Sequence, residues 1–380
     1  MCGIYGITEH NPALINNYIK TCSHRGPDGN KVWWDPENKL TLGHNLLSIM
    51  SDPKLSVQPW KTPAGNWLIY NGEIFNYYEL KDKYKGRGFA GITGCDTELL
   101  AWGLDTFGLD FLNEIDSMHS FAYYRVKQDE LWISRDHAGI KPLYYAEVKQ
   151  GLIFGSEIKG LLKYVDKSNI IDPLAFSSMA HVGLNPTANT FFTNIKKLLS
   201  GETIVYDLRN KKIKNKKRNL IIPKNNHTFD PEEFRAVTRE SVKLCSIGRR
   251  KIGIFLSGGL DSGMVAYEYK QLHGTANTYT NNMDPNIIWR EDDHNDDHNK
   301  ALQLAKLYGF NHKIVTMTPK ILTEMWDSSI YFMEQPVYNP SMVMYYYTNK
   351  VLSDDGIVVT LAGDMGDEVL GGYPKYWKLR

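Results

Sequence analysis

The segment Lys251–Ser262, KIGIFLSGGLDS, carries the residue types that handle a nucleotide. Five mostly apolar residues run into Ser-Gly-Gly-Leu-Asp-Ser and then into a helical pattern, which reads as strand, phosphate loop and helix. Gly258 and Gly259 let backbone N–H groups approach an anion closely, and the helix start offers its positive end. Ser257, Ser262 and Asp261 add two hydroxyls and a carboxylate able to bind magnesium. No Lys-Ser or Lys-Thr pair closes the loop, so it is not a Walker A loop. A second loop, Ala362–Tyr373 (AGDMGDEVLGGY), follows the apolar run IVVTL and places Asp364, Asp367 and Glu368 among four glycines. Both loops leave strands at the edge where parallel sheets bind ligands, so their carboxylates and phosphate-binding backbone are expected to share one crevice. At the other end of the chain, removal of Met1 would leave Cys2 as an N-terminal cysteine followed by Gly3 and Ile4. A thiol beside its own α-amine is a nucleophile with a built-in base, because the amine titrates near neutrality and can carry a proton from thiol to leaving group.

These residues need scaffolds, and the chain divides accordingly. With 380 residues and 42% apolar content it can bury more than one core. Residues 1–208 read as short aromatic and β-branched runs punctuated by Gly, Asn and Asp, among them LWISRD, PLYYAEV, GLIFGSE and TIVYDL, and so as a mainly antiparallel sheet region. Residues 209–228 are a basic, polar hairpin or linker, with no aromatics interleaved among the lysines. From 229 to 380 strands alternate with helices, as in KIGIFL, GMVAYEYKQLH, ALQLAKLY, HKIVTM and GIVVTLAG; Thr318-Pro319 reads as a helix start for ILTEMWDSSIYFM. That is α/β with a parallel sheet. The piece Asp292–His298, DDHNDDH, has metal-ligand residue types but no spacing that fixes a geometry, and reads as a solvated loop before a helix.

A formal charge of +1 gives no general field for nucleic acid or membrane, and no apolar run reaches the length of a membrane span. No signal-peptide pattern opens the chain, so the cytoplasm is the expected location. Cys2, Cys22, Cys95 and Cys245 are few and widely spaced, which argues against a disulfide framework or a zinc site.

SGGLDS resembles the PP-loop of ATP pyrophosphatases, which implies cleavage of ATP between its α- and β-phosphates. Together with GDMGDEVLGGY it is similar to the synthetase domain of the glutamine-hydrolysing asparagine synthetase family. In the first half, His24-Arg25-Gly26-Pro27-Asp28, Tyr70–Asn76 (YNGEIFN), Cys95–Glu98 (CDTE), Arg135-Asp136-His137, Gly139–Tyr144 (GIKPLY), Ser156–Lys159 (SEIK) and Leu199–Gly201 resemble, in order, the class II glutamine amidotransferase domain. The fold implied is an α+β N-terminal-nucleophile αββα sandwich, followed by an α/β parallel-sheet PP-loop domain of the adenine nucleotide α-hydrolase-like type.

The resemblance implies roles position by position. Cys2 would attack the glutamine carboxamide, with the Asn71 side chain and the Gly72 N–H as oxyanion hole. Glu73 and Asp96 would hold the glutamine amine, Leu46 and Ile49 would line that site, and Arg25 and Asp28 would be structural support. Leu256, Ser257, Gly258, Gly259, Asp261, Ser262, Ala362 and Gly363 would surround ATP, and Asp261 and Asp367 would hold Mg2+. Asp364 would stand near the acyl-adenylate, at a position where the family usually has a glutamate. Leu46 falls where the family has an arginine that clamps the glutamine carboxylate, so weak use of glutamine is expected. The family's synthetase domain continues beyond its GGY segment, whereas this sequence runs seven residues past Tyr373 to Arg380, as a fragment or a natural short form would. The implied substrates are glutamine, ATP and a carboxylate, aspartate first among them. An amide or lactam synthetase with another acceptor, and a degenerate non-catalytic binding protein, remain open at this point, as does a homodimer.

Overall fold

Strands whose every residue is apolar or small must be covered on both faces, and the first strand, GIYGI, is buried throughout. The computed structural model describes residues 1–37, 39–149, 151–165, 171–221, 228–284, 296–336 and 341–373. It divides into two units, Met1–Asn225 with Glu334–Tyr338, and Asn226–Met333 with Asn339–Arg380.

In the first unit the elements run β1 (Gly3–Ile7), α1 (Pro12–Thr21), β2 (Gly29–Trp34), β3 (Thr41–Leu46), β4 (Trp60–Lys61), β5 (Trp67–Ile74), α2 (Tyr77–Tyr84), α3 (Asp96–Phe107), β6 (Ser117–Arg125), β7 (Glu130–Arg135), β8 (Tyr144–Val148), β9 (Gly151–Gly155), α4 (Ile158–Leu161), α5 (Pro173–Val182), β10 (Lys196–Lys197), β11 (Glu202–Asp207) and β12 (Lys212–Arg218). Two six-stranded antiparallel sheets form, ordered β10-β8-β9-β1-β3-β2 and β12-β11-β7-β6-β5-β4. Ile4, Leu42 and Phe154 of one sheet meet Ile69, Ala122, Ile133 and Ile204 of the other in a shared core. Tyr5, Ile7 and Ile153 on the opposite face of the first sheet pack against Leu14, Ile15, Tyr18 and Ile19 of α1. The outer face of the second sheet packs Leu68, Tyr70 and Phe121 against Leu99, Leu100 and Trp102 of α3. Alternate residues of each strand thus serve different cores, and the stack is helix, sheet, sheet, helix: the αββα sandwich expected. α1 starts where Asn11 accepts the Leu14 N–H at 3.1 Å with Pro12 in the first turn. The basic run predicted as hairpin or linker supplies β12, the edge strand beside β11, its lysines exposed as edge strands tolerate.

The second unit contains α6 (Pro231–Cys245), β13 (Ile252–Phe255), α7 (Leu260–His273), β14 (Asn277–Met283), α8 (Asp296–Tyr308), β15 (Asn311–Met317), α9 (Pro319–Met333), α10 (Met342–Asp354), β16 (Val359–Leu361) and α11 (Gly366–Leu370). Its four strands are parallel in the order β15-β14-β13-β16. Ile254 and Leu256 pack with Ala266 of α7 and Ala301 and Ala305 of α8, while Tyr279 and Val315 pack with Leu352 of α10. Both sheet faces are therefore covered by helices, the α/β arrangement the alternation predicts. α9 opens as read, with Thr318 Oγ1 accepting the Ile321 N–H at 3.2 Å. Of the acidic segment Asp292–His298, residues 292–295 lie outside the described residues and 296–298 open α8; residues 374–380 likewise lie outside them. No described helix is long and apolar enough to cross a membrane.

Candidate active site

The β1–β3 ladder pairs Gly3 with Asn45, so the next step outward sets Cys2 opposite Leu46. There the thiol lies between the two polar groups of one peptide residue: Leu47 N–H donates to Cys2 Sγ at 3.2 Å, and the thiol faces Leu47 O at 3.4 Å. Arg25 Nε donates to the Cys2 carbonyl at 2.9 Å, and Asp28 Oδ2 accepts the Ser48 N–H at 2.8 Å, fixing the turn that holds Leu47. Burial raises the Cys2 thiol pKa, against the pull of the Leu47 hydrogen bond and the nearby amino terminus. Met1 is half exposed as a residue, yet its amine is enclosed, and burial lowers that amine to about 5.

Cys2 opens onto a cleft lined also by Leu46, Ile49, Asn71, Gly72, Glu73 and Asp96, so the residues singled out in the first half converge on one cavity. β5 supplies three of them in succession: Asn71 pairs with Ser120 of β6 and its Nδ2 donates to Ser120 Oγ at 3.4 Å, while Gly72 and Glu73 follow. Asp96 opens α3; its Oδ2 accepts from Tyr70 Oη at 3.1 Å and Ile74 N at 3.2 Å. Glu73 and Asp96 are both raised, Glu73 by burial and by the Asp96 charge, and Asp96 mainly by burial. Glu73 Oε1 is buried with no hydrogen-bond partner. Two neighbouring carboxylates, one with an unused acceptor, suit a cationic amine.

Several lining residues were assigned no role from the sequence. Lys141, in the GIKPLY run, is buried at the cleft, its Nζ 3.3 Å from Met1 Sδ, and burial lowers it to about 8. Among the described residues it is the one cation lining the cleft. Gln58 Oε1 accepts the Tyr70 N–H at 2.6 Å and Gln58 Nε2 donates to Thr97 Oγ1 at 3.3 Å, tying the strand before Asn71 to α3. The bracket around the thiol is backbone of Leu47, which no side-chain pattern can announce. Leu46 is 5% exposed and extends an apolar wall with Ile49, Met50 and Met118.

In the second unit β13 and β16 are parallel neighbours, Ile254 opposite Leu361, so their following loops leave the sheet side by side. Gly259 caps α7, Ser262 Oγ accepts the Ser257 N–H at 3.1 Å and lies 2.9 Å from Ser257 Oγ, and Ser257 Oγ accepts the Gly259 N–H at 3.3 Å. Gly258 has φ of +85°, a conformation open to glycine, and a Cβ there would meet Asp297 O at 2.4 Å. A Cβ on Gly363 would meet Ser262 N at 2.6 Å, and one on Gly366 would meet Asp261 Oδ2 at 2.4 Å, so the second loop lies directly on the first. Leu256 is buried beneath them, Ala362 and Asp364 lie on the second loop, and Asp367 lies in the first turn of α11. The Asp261 pKa is raised by burial and then by the charges of Asp367 and Glu368. Among the described residues no group of three or more His, Cys, Asp or Glu side chains is arranged to hold a metal unaided. Two carboxylates beside a phosphate loop fit an ion that phosphate oxygens help to bind.

A glutamine amidotransferase domain is matched over residues 1–218 and an asparagine synthase domain over residues 233–380. The chain belongs to the glutamine amidotransferases that carry a synthetase unit. Within that class it is a member of the glutamine-hydrolysing asparagine synthetase family. It is 27% identical over 400 residues to a Methanocaldococcus jannaschii protein provisionally named asparagine synthetase (glutamine-hydrolysing) 2, covering 98% of this chain and 76% of the relative. To asparagine synthetases 3 and 1 of Bacillus subtilis it is 26% and 25% identical, covering 98% and 99% of this chain but 63% and 59% of theirs.

Proposed function

We propose that the chain is a glutamine-dependent, ATP-consuming carbon–nitrogen ligase that amidates a carboxylate, aspartate first among the acceptors. The observation that carries this is the convergence of Cys2, Asn71, Gly72, Glu73 and Asp96 on one cleft. Glutamine seats its amine between Glu73 and Asp96 and its carboxamide at Cys2. The α-amine, belonging to Cys2 once Met1 is removed, takes the thiol proton as Sγ bonds to the carboxamide carbon. Asn71 Nδ2 and the Gly72 N–H receive the developing oxyanion, each such donor contributing typically ~3 kcal/mol in the transition state. The C–N bond then breaks, the ammonium delivers its proton to the departing ammonia, and water cleaves the thioester to glutamate, freeing Cys2.

In the second unit the acceptor carboxylate attacks the α-phosphorus of ATP and expels pyrophosphate; ammonia then displaces AMP from the acyl-adenylate. Ser257, Gly258, Gly259 and Ser262 cradle the phosphates, Leu256, Ala362 and Gly363 border the adenosine, and Asp364 lies toward the adenylate. Asp261 and Asp367 would hold Mg2+, which when bound supplies charge neutralisation of the phosphates. Leu46 favours a second reading of the nitrogen source, free ammonia, because a glutamine carboxylate meets an apolar wall there. The cytoplasm is the proposed location.

The test is incubation of the full chain with a diazoketone analogue of glutamine, followed by peptide mass mapping. Modification at Cys2, abolished in Asn71→Ala and Asp96→Asn, is expected. Modification spread evenly over Cys22, Cys95 and Cys245 would sink the assignment.

A further inference from the structure

A run of buried ion pairs leads from the nucleophile's backbone to a residue distant in sequence. Arg25, whose Nε holds the Cys2 carbonyl at 2.9 Å, has Nη1 3.1 Å from Glu157 Oε1. Glu157 Oε2 lies 2.6 Å from Lys159 Nζ, which lies 3.1 Å from Glu334 Oε1. All four side chains are 7–9% exposed, so these are buried charges whose partners decide their positions. Glu157 Oε1 also meets His24 Nε2 at 2.7 Å, and against the effect of burial this hydrogen bond and the Arg25 and Lys159 charges hold the Glu157 carboxyl below the usual carboxylate range.

Glu334 follows directly on α9 yet belongs with Gln335 to the first unit. Its carboxylate accepts the N–H groups of Ile158 and Lys159, both at 2.8 Å, and so caps α4. Gln335 Oε1 accepts the Phe191 N–H at 3.2 Å. The backbone at Glu334 has φ of +62°, a left-handed conformation that is strained for a residue with a side chain. Such a conformation persists when surrounding contacts over-determine it, and here it aims the carboxylate at two peptide donors and a lysine.

We propose that Glu334 is a positioning residue for the Cys2 centre. Seated on α4, it shares the Lys159 charge with Glu157; this leaves Glu157 Oε1 on Arg25, and Arg25 on the Cys2 carbonyl. Removing it releases the α4 N–H groups and takes one carboxylate from Lys159, which strengthens the Lys159 pull on Glu157, draws Glu157 from Arg25 and swings the residue that carries the thiol. The inference rests on Cys2 being the nucleophile, and Met333 ties the residue covalently to the second unit.

The test uses full-length Glu334→Gln, Glu334→Ala and Lys159→Met, with two readouts. Glutamine turnover should lose roughly tenfold or more in kcat in Glu334→Ala with KM within about threefold, as a misplaced rather than weakened site requires. Glu334→Gln, which keeps an acceptor but not the charge, should lie between, and Glu334→Ala with Lys159→Met should lose no more than either alone, since both cut one path. The second readout is the rate of Cys2 alkylation by iodoacetamide, mapped by mass, which reports the thiol's setting whether or not glutamine is consumed. A wild type inactive on glutamine but with Glu334-dependent alkylation would support the positioning and remove only the nucleophile assignment. Equal alkylation in wild type and Glu334→Gln, or losses that add in the double variant, would overturn it.

Discussion

Leu46 closes β3 opposite Gly29, is 5% exposed, and faces the cleft that holds Glu73 and Asp96. Among the described residues Lys141 is the one cation lining that cleft, and burial has already lowered it to about 8, so part of its charge is lost under mildly basic conditions. Leu46→Arg would add a permanent, planar cation beside the carboxylate of bound glutamine. A close charge pair of this kind is typically worth ~2–5 kcal/mol, which corresponds to about thirty- to several-thousand-fold in kcat/KM for glutamine. Removing the buried leucine sacrifices about 1.5–3 kcal/mol of apolar burial, so the thermal midpoint should fall by several degrees while activity rises. Glutamate release against glutamine concentration, with circular dichroism to confirm folding, measures both. A wild type that already saturates at micromolar glutamine, or a folded Leu46→Arg with no gain in kcat/KM, refutes the reasoning.

Three further outcomes are expected. Asn71→Ala should lower glutaminase kcat by about 10²–10³ with little change in KM, since the donor acts on the oxyanion; steady-state kinetics check this, and a pure KM effect would contradict it. Glu73 and Asp96 both have folded pKa values above the ordinary carboxylate range, Asp96 at about 6, so the ligand-free folded state binds more protons than the unfolded one from about pH 4 up to those values. Stability therefore falls as pH rises through that window. Glu73→Gln should flatten the fall and raise the thermal midpoint at neutral pH while impairing glutamine binding; an unchanged pH profile counts against the coupled pair. Asp261→Asn should raise the magnesium needed for half-maximal pyrophosphate release by about tenfold or more, whereas an unaltered magnesium dependence would remove Asp261 from that role.

Much of the first unit was readable because its strands alternate between two cores: LWISRD, PLYYAEV, GLIFGSE and TIVYDL overlap β7, β8, β9 and β11. β14 escaped, since NTYTNNM is polar in composition; it is held in the sheet by Tyr279 and Thr280 packed between parallel neighbours, with Thr278 Oγ1 bonded to His312 Nδ1 at 2.9 Å. α10 escaped because its apolar residues show weak periodicity, Val343, Met344, Thr348 and Leu352 being the buried ones. At the cleft, Cys2 was marked by its residue type and place in the chain, and Asn71 and Asp96 by the resemblance of YNGEIFN and CDTE. Lys141 was not, because a lysine in a turn-like GIKPLY run reads as solvent-facing until the fold buries it. Glu334 lies 175 residues from Lys159 in sequence, and only the folded chain reveals that separation as a contact.

The central claim is that one chain joins a glutamine-derived nitrogen to a carboxylate activated by ATP. Its most direct test supplies the full chain with ATP, magnesium, aspartate and either amide-labelled glutamine or labelled ammonium, and follows nucleotide products and label together. AMP and pyrophosphate in equal amounts, label in asparagine from ammonium, and slower labelling from glutamine that Leu46→Arg accelerates are expected. ADP and phosphate as products, or nucleotide left intact with every nitrogen source and acceptor supplied, would contradict it.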